Sequence, residues 1–435
     1  MELLIFSYKS TNRLHFTLKL IFGEILKTSY RLTTDRSAFI AHTGPKLSYG
    51  LNPIADEFFI KSKELLFEVG ILEYEVIAIP YKHTQAIFPS SAKSDFTFDV
   101  LAASFYMASR YEEYLPHKRD NHNRFDAKES IAYQKGFLEF PVVHIWSEGL
   151  WEALFLKYPQ LTREYNKYKF ITTIDVDNAF AYEEKGVVRS VAGILKNIVK
   201  FEATELIERL SVLMGVKQDP YDTFDYQLDL IKKHDLEVVY FILLGDYGYN
   251  DKNIPVTSLK FRSLIKALSD YAKVGIHPSY GSNKSFKQLQ KEVGRLSDMI
   301  HVQIDKSRQH FLKLQLPDTY RDLLELNITN DYTMGYACYF GFRSGMCIPY
   351  HFYDLDLEVE TPLMIHPFAV MEGTLKYYLS ISPADASAYY KKLIDEVRAV
   401  NGTFISLWHN DSINDRGFWI GWKNVFEEMI EYGKS

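Results

Sequence analysis

Two aspartates separated by a single residue are the most suggestive chemical feature of this 435-residue chain. Asp175 and Asp177 come directly after the apolar run 170–174. Alternate residues of an extended segment face the same side, so both carboxylates would point one way. Two close carboxylates are tolerated when a cation lies beside them, which favours one metal ligand and one free base. The structural alternative is an Asx-capped turn that leads into a helix.

An arginine and three histidines provide further groups that could do chemistry. Arg308 and His310 would share one face if their segment is extended. The arginine could orient a catalytic carboxylate and keep it ionised, and the imidazole could bind a metal. His277 and His409 each follow a short apolar run. A histidine in such a place can bind a metal or give up a proton near neutral pH, although a lone histidine is more often structural.

Composition narrows the kind of metal site and the kind of partner. Only two cysteines are present, Cys338 and Cys347, which argues against a disulfide framework and against a thiolate zinc site. With thirteen histidines, a bound metal would have imidazole and carboxylate ligands, which suit Zn, Co, Ni or Fe better than Ca. Acidic residues outnumber basic ones by 56 to 50, and this net charge of -6 argues against nucleic acid as a partner.

Repeated β-α units are expected to position these groups from residue 165 onwards. Short apolar runs alternate there with longer helical patterns, which is typical of a parallel sheet. The predicted strands are 170–174, 238–244, 274–276, 311–316, 363–365 and 403–407, and the predicted helices are 188–213, 258–271, 285–305 and 384–400. In a β/α barrel the carboxyl ends of the strands meet at one rim. Because Asp, Arg or His residues flank all six strands, the pattern predicts one polar site at that rim.

The chain length fits two domains, with a boundary near Pro159. The polar stretch 157–167 is typical of a linker. We expect a mixed α/β domain of unknown role over 1–160 and the β/α part over 161–435. No apolar stretch approaches the roughly 20 residues needed to span a membrane, and the N-terminus lacks an export signal, which predicts a cytoplasmic protein.

Seven short motifs resemble the polysaccharide deacetylase superfamily, of the NodB-homology or carbohydrate esterase family 4 type. The similarity covers about residues 165–435 and is closest to a bacterial branch with an extra N-terminal domain. The motifs are TTIDVDNAF (172–180), VGIHPSY (274–280), SRQHF (307–311), DYTMGYA (331–337), GFRSG (341–345), HPFAVMEGTL (366–375) and LWHND (407–411). The resemblance implies a distorted (β/α)7-type barrel and metal-dependent removal of an acetyl group from an N- or O-acetylated carbohydrate, here a glycan precursor.

The resemblance also implies roles for single residues. Asp175 corresponds to the catalytic base and Asp177 to the metal-binding aspartate. His277 corresponds to the first histidine of the metal motif, Arg308 to the arginine that orients the base, and His409 to the general acid. The implied cofactor is a divalent metal, with Zn as the first choice and Co, Ni or Fe as alternatives.

One position departs from the family pattern. Gly281 lies four residues after His277, where the family has its second metal histidine. Our hypothesis is that His310 supplies the missing imidazole. The alternative is a catalytically weak or inactive carbohydrate-binding or scaffold protein on the same fold. A third hypothesis is glycoside hydrolysis by two carboxylates, in which Asp175 would act together with Asp246 or Glu372.

Overall fold

The computed structural model describes residues 1–91 and 93–435 and has a mixed α/β architecture, as the sequence predicts. The strands are β1 (Leu3–Ser7), β2 (Tyr30–Thr33), β3 (Lys46–Gly50), β4 (Phe58–Lys61), β5 (Ala78–Tyr81), β6 (Thr84–Ile87), β7 (Lys169–Val176), β8 (Glu237–Leu243), β9 (Lys273–His277), β10 (Lys306–Ser307), β11 (Asn330–Asp331), β12 (Tyr350–Asp354), β13 (Val359–Ile365), β14 (Val370–Met371) and β15 (Thr403–His409). The α-helices are α1 (Asn12–Leu18), α2 (Arg36–Ala41), α3 (Val100–Ala108), α4 (Ile131–Gln134), α5 (Val142–Lys157), α6 (Gly186–Val199), α7 (Ala203–Leu213), α8 (Phe224–His234), α9 (Leu259–Tyr271), α10 (Phe286–Ile300), α11 (Asp318–Glu325), α12 (Pro383–Ala399) and α13 (Trp422–Lys434).

A nine-stranded sheet carries the second part of the chain. Its order is β12-β13-β11-β10-β9-β8-β7-β15-β14, and every pairing is parallel except β12 with β13. The long strands β7, β8 and β15 are buried along nearly their whole length, as expected for parallel strands that are covered on both faces.

The side chains on one face of this sheet form an interior cluster separate from the main core. Its members are Ile171, Val239, Phe241, Leu312, Tyr332, Ala337, Phe368, Met371, Ile405 and Leu407. They come from strands and loops that are spread along most of the strand order, so the sheet curls around them. Because side chains alternate along a strand, Asp175 lies on the same face as Ile171, and His409 on the same face as Leu407.

The closed barrel stays a prediction. In the part of the chain that the structure describes, no hydrogen-bonded pairing joins β13 to β14. The strand predicted at 311–316 is wrong, since the strand here is β10 and a 3₁₀ turn follows at His310–Leu312. Phe311 and Leu312 have left-handed φ angles of 58° and 54°, which are incompatible with a strand.

The first part of the chain has a small parallel sheet of its own. Its order is β2-β1-β3-β4, and β5 and β6 form a separate hairpin. The helices α3 and α5 are buried along most of their length, and one continuous hydrophobic cluster includes side chains from both sides of residue 160. Among the described residues, no helix combines the length and the apolar character needed to cross a bilayer.

Candidate active site

Three parallel strands bring the predicted acidic and histidine side chains to one edge of the sheet. Asp175 lies near the end of β7 and is the register partner of His409, the last residue of β15. His277 is the last residue of β9 and pairs with Leu243 of β8. Asp177 follows the end of β7 on the same side as Asp175. The carboxyl ends of the strands therefore meet at one polar site.

Asp177, His277 and His310 form a group with the dimensions of a metal site. Each offers one ligand atom, and these atoms lie within 4.8 Å of one another. The Nε2 atom of His277 is 3.1 Å from Oδ1 of Asp177, and the Nε2 atom of His310 is 3.3 Å from Oδ2. The geometry therefore brings His310, and not a residue at position 281, to the two ligands suggested by the sequence.

Hydrogen bonds on the far side of each imidazole orient the two histidines. The Nδ1 atom of His277 is 2.6 Å from the Arg308 carbonyl oxygen, which can only accept. The Nδ1 atom of His310 is 2.9 Å from Oδ1 of Asp251. With a proton on Nδ1 of each ring, Nε2 faces Asp177 and can bind a metal once it gives up its own proton, which is the usual arrangement of histidine ligands.

These residues fit a divalent cation. Oδ1 of Asp177 is buried without a hydrogen-bond partner, although a histidine nitrogen lies close to it. Burial would raise the pKa of Asp177, but the neighbouring His310 and His277 imidazoles outweigh it and hold this pKa well below its usual range. An ionised carboxylate with an unused lone pair beside two imidazoles is a donor set that transition metals prefer.

Asp175 has different partners from Asp177. It is 2% exposed, and its Oδ1 atom accepts a hydrogen bond from the Arg308 guanidinium at 3.1 Å. The same guanidinium nitrogen donates to Oγ1 of Thr173 at 2.5 Å, and Nε donates to the Tyr332 carbonyl. Arg308 is fully buried, so it holds Asp175 in a single orientation. Oδ2 of Asp175 faces Nε2 of His277 at 3.7 Å, which leaves this oxygen available to a small reactant.

His409 is held by a buried glutamate on the opposite side of the group. Its Nδ1 atom is 2.7 Å from Oε1 of Glu372, and its backbone N–H donates to the same oxygen. Burial would lower the pKa of His409, but Glu372 outweighs it, with smaller contributions from Asp177 and Asp175, and raises this pKa well above its usual range. The raised pKa favours the protonated imidazole, which is the form that can donate a proton.

A cavity of about 500 Å³ opens over these residues. Asp175, Asp177, His277, His310 and His409 all line it. Its walls also include apolar and aromatic side chains, namely Leu243, Tyr249, Phe311, Leu312, Met371, Tyr377 and Tyr378. This mixture of apolar walls and a few converging polar groups is typical of a small-molecule site.

The structure brings together all six residues predicted as catalytic or metal-binding. Asp246 does not line the cavity and instead forms exposed ion pairs with Lys291 and Arg295, which speaks against its pairing with Asp175 in a glycosidase. His366, the first residue of the motif 366–375, stacks on Tyr332.

Sequence reasoning missed three contributors to the site. Asp251 orients His310, Glu372 orients His409, and Arg124, from the first part of the chain, lines the cavity. Arg124 reaches it by donating to the Phe311 carbonyl at 2.6 Å. Asp251 and Arg124 come from loops without hydrophobic periodicity, so no pattern could have placed them. The sequence suggests Glu372 only as a glycosidase carboxylate and not as the partner of His409.

Comparisons with known proteins give one family match and several similar solved structures. Residues 3–159 match a family of unknown function (DUF7033). No curated protein matches the chain in sequence. The fold is similar to that of a protein from Mycobacterium smegmatis described as a polysaccharide deacetylase, with 13% identity over 62% of this chain and 86% of that one, and a TM-score of 0.39.

Two further solved structures are similar at the same low level. Agd3, a carbohydrate deacetylase, has 8% identity over 99% of this chain and 83% of its own, with a TM-score of 0.37. A CE4 family pseudoenzyme from Bacillus anthracis has 13% identity over 62% of this chain and 63% of its own, with a TM-score of 0.29. At these values the likeness carries no argument about activity, which has to come from the geometry of the site.

Proposed function

We propose that this protein is a metal-dependent hydrolase that removes an acetyl group from an N- or O-acetylated carbohydrate. The observation that carries the proposal is the convergence of two different groups at one cavity. Asp177, His277 and His310 present ligand atoms within 4.8 Å of one another, and an arginine-held carboxylate and a glutamate-held histidine lie beside them. Metal-dependent hydrolysis of an amide or ester uses three such parts: a metal that polarises the carbonyl group, a base that accepts the proton of water, and an acid that protonates the leaving group.

Asp177, His277 and His310 would hold the divalent metal, with Zn as our first choice and Co, Ni or Fe as alternatives. When bound, such a metal polarises the acetyl carbonyl and lowers the pKa of water. Asp175 accepts the proton of the attacking water through Oδ2, because Arg308 occupies its Oδ1. The water oxygen bonds to the acetyl carbon, and the carbon–nitrogen or carbon–oxygen bond then breaks. His409 gives its proton to the departing sugar atom, so the products are acetate and an amine or alcohol.

The cavity walls support a carbohydrate as the substrate. Tyr249, Tyr377 and Tyr378 line its outer part, and their rings offer flat faces and hydroxyl groups. Met371 and Leu407 provide an apolar patch suited to an acetyl methyl group. We also propose that the curled sheet of residues 161–435 is a distorted (β/α) barrel and that residues 1–160 form a separate domain beside it.

Metal analysis and acetate release from an acetylated chitooligosaccharide test the function together. The purified protein should contain about one equivalent of a transition metal, in line with one three-residue donor set. Asp175→Asn should lower turnover at least about 10³-fold and leave the metal content unchanged, since its carboxylate is assigned to proton transfer. Asp246→Asn, in an exposed ion pair, is the matched control.

Two outcomes would contradict this assignment. Loss of metal from Asp175→Asn would make Asp175 a ligand and not the base. A protein without metal or acetate release, but with affinity for the oligosaccharide, would support the alternative of a carbohydrate-binding scaffold, for which the glycine at position 281 is the feature in favour.

A further inference from the structure

The hairpin formed by α6 and α7 exposes its apolar side chains to solvent, whereas α9, α10, α12 and α13 bury theirs. On α6, Val188, Val191, Leu195 and Val199 are all exposed, and Val188 is 83% exposed. Their spacing places them on one face of the helix. The one buried residue of α6 is polar, Asn197. The amphipathic helix therefore packs its polar face against the protein and turns its apolar face outward.

The second helix of the hairpin repeats this inverted arrangement. Ile207, Leu210 and Met214 are exposed on one side of α7, and Val212 is its one buried residue. Phe201, in the turn between the helices, is 93% exposed. Single exposed apolar residues are ordinary, but a contiguous set on two paired helices marks an interaction surface.

Polar side chains of the hairpin form hydrogen bonds with one another and an ion pair with the rest of the protein. Asn197 donates to Glu202 at 2.9 Å and to Glu205 at 3.1 Å, and its Oδ1 atom accepts from Nε of Arg209. Glu208 accepts from Arg416 at 3.0 Å. The carboxylates of the hairpin are therefore turned away from the apolar surface.

The charges at the border of the apolar surface are positive. Lys196, Lys200 and Lys217 are exposed, and none of them forms an ion pair with any residue that the structure describes. An apolar stripe bordered by lysines is typical of a helix that lies in the interface of an anionic bilayer. A second copy of the same surface would bring lysines against lysines, and these like charges would repel each other.

We propose that the α6–α7 hairpin docks on the surface of a membrane that contains anionic lipids. Phe201 and the outward aliphatic residues enter the boundary between headgroups and acyl chains, and the three lysines contact lipid phosphates. The 14 residues of α6 span about 21 Å, short of the roughly 30 Å of a hydrocarbon core, so the hairpin lies along the surface.

The hairpin is also tied to the loop that carries part of the cavity wall. Nη1 of Arg189 donates to the Asn253 carbonyl at 3.1 Å, and the neighbouring Lys252 lines the cavity. This contact links the hairpin to a loop of the cavity wall. The docking itself does not depend on the proposed deacetylation, because it uses none of the residues of the active site.

Co-sedimentation of the full-length protein with vesicles tests the proposal. Vesicles of phosphatidylcholine mixed with phosphatidylglycerol should bind it at least about tenfold better than phosphatidylcholine alone, and salt should weaken this binding. The variant Val188→Gln/Leu195→Gln/Phe201→Gln should lose about tenfold or more in affinity for the anionic vesicles. The variant Lys196→Gln/Lys200→Gln/Lys217→Gln should lose up to about a hundredfold.

A matched control removes two exposed apolar residues elsewhere, in Val69→Gln/Leu156→Gln, and should bind like the parent protein. Since the substituted residues are exposed, circular dichroism should show an unchanged fold in every variant. The proposal is overturned if the parent protein does not bind anionic vesicles or if the apolar triple variant binds as well as the parent. A dimer in sedimentation velocity that this variant dissociates would make a second copy the occupant, which also overturns it.

Discussion

The His310 imidazole depends on a carboxylate that is not itself among the three metal-binding candidates. Oδ1 of Asp251 accepts from Nδ1 of His310 and also from the Tyr280 backbone N–H at 2.9 Å. Burial would lower the pKa of His310, but Asp177 and Asp251 outweigh it and raise the pKa to about 9. Asp251 therefore fixes the ring orientation and increases its basicity, as carboxylates behind metal-binding histidines do.

We expect Asp251→Asn to weaken metal affinity about 10- to 100-fold, because the amide keeps the hydrogen bond but loses the charge. Competition with a chromogenic chelator measures this affinity. Asp246→Asn serves as the control because it removes a carboxylate that is in contact only with surface cations. An unchanged affinity in Asp251→Asn would show that His310 does not bind the metal through Nε2.

Glu372 should set the pH range of turnover through His409. The protonated acid is the active form, so activity falls as the pH rises through the pKa of His409. Because Glu372 raises this pKa, Glu372→Gln should move the alkaline limb of the kcat profile to lower pH by about one unit or more. Glu237→Gln, at the opposite end of β8, should leave the profile unchanged. If Glu372→Gln leaves the alkaline limb of the kcat profile unchanged, His409 is not the general acid.

The sequence predicts the reactive side chains better than the groups that orient them. Asp175 and His409 follow long apolar strands, so their place at the edge of a parallel sheet is predictable from the pattern alone. Their partners are separated from them in sequence, since Arg308 contacts Asp175 across 133 positions and Glu372 contacts His409 across 37. Such contacts depend on strand order and loop paths, which a hydrophobic pattern does not specify.

Among the elements, long strands were predictable and short ones were not. β7, β8 and β15 have seven or eight residues each and match the predicted runs. β10 has two residues, too few to show a pattern, and the apolar residues after it are turned by left-handed φ angles. The predicted helix 188–213 is two helices, because Phe201 adopts a φ of 56° that ends α6.

The start of α3 contains a buried aspartate with a consequence for stability. Asp99 caps this helix by accepting from the Ala102 N–H, and it also accepts from the Tyr49 hydroxyl at 2.8 Å. Burial raises the pKa of Asp99 to about 6, although these hydrogen bonds oppose it. Between about pH 4 and pH 6 the folded chain keeps a proton that the unfolded chain releases, so the free energy of unfolding decreases as the pH rises.

We expect Asp99 to contribute about 3 kcal/mol to this decrease in the free energy of unfolding, and Asp99→Asn to remove that part of the dependence. Urea denaturation at several pH values measures both. Asp56→Asn, which changes a fully exposed aspartate, should behave like the parent protein. The assignment fails if Asp99→Asn keeps the same loss of stability between pH 4 and pH 6.

At the scale of the whole molecule, the two parts of the chain share buried charges as well as a core. Arg343 forms a buried ion pair with Glu113 at 2.6 Å, and Arg110 pairs with the same carboxylate at 2.7 Å. Burial would raise the pKa of Glu113, but the two guanidinium groups outweigh it and lower the pKa to about 2. Neither part can separate without exposing apolar surface and leaving these charges without partners.

The whole chain should therefore unfold in one cooperative step, although its sequence suggests two domains. Tryptophan fluorescence and far-ultraviolet circular dichroism should give the same urea midpoint, since Trp146 and Trp151 lie in the first part and Trp408, Trp419 and Trp422 in the second.

The buried Arg343–Glu113 ion pair should contribute strongly to this stability. Arg343→Met should lower the free energy of unfolding by about 3–5 kcal/mol, because it leaves Glu113 short of one buried partner. The control Arg31→Met breaks an exposed ion pair with Glu2 and should cost less than about 1 kcal/mol. Two separate transitions in the parent protein would show that the two parts are stable independently. Equal effects of the two substitutions would show that the Arg343–Glu113 pair contributes no more than an exposed ion pair.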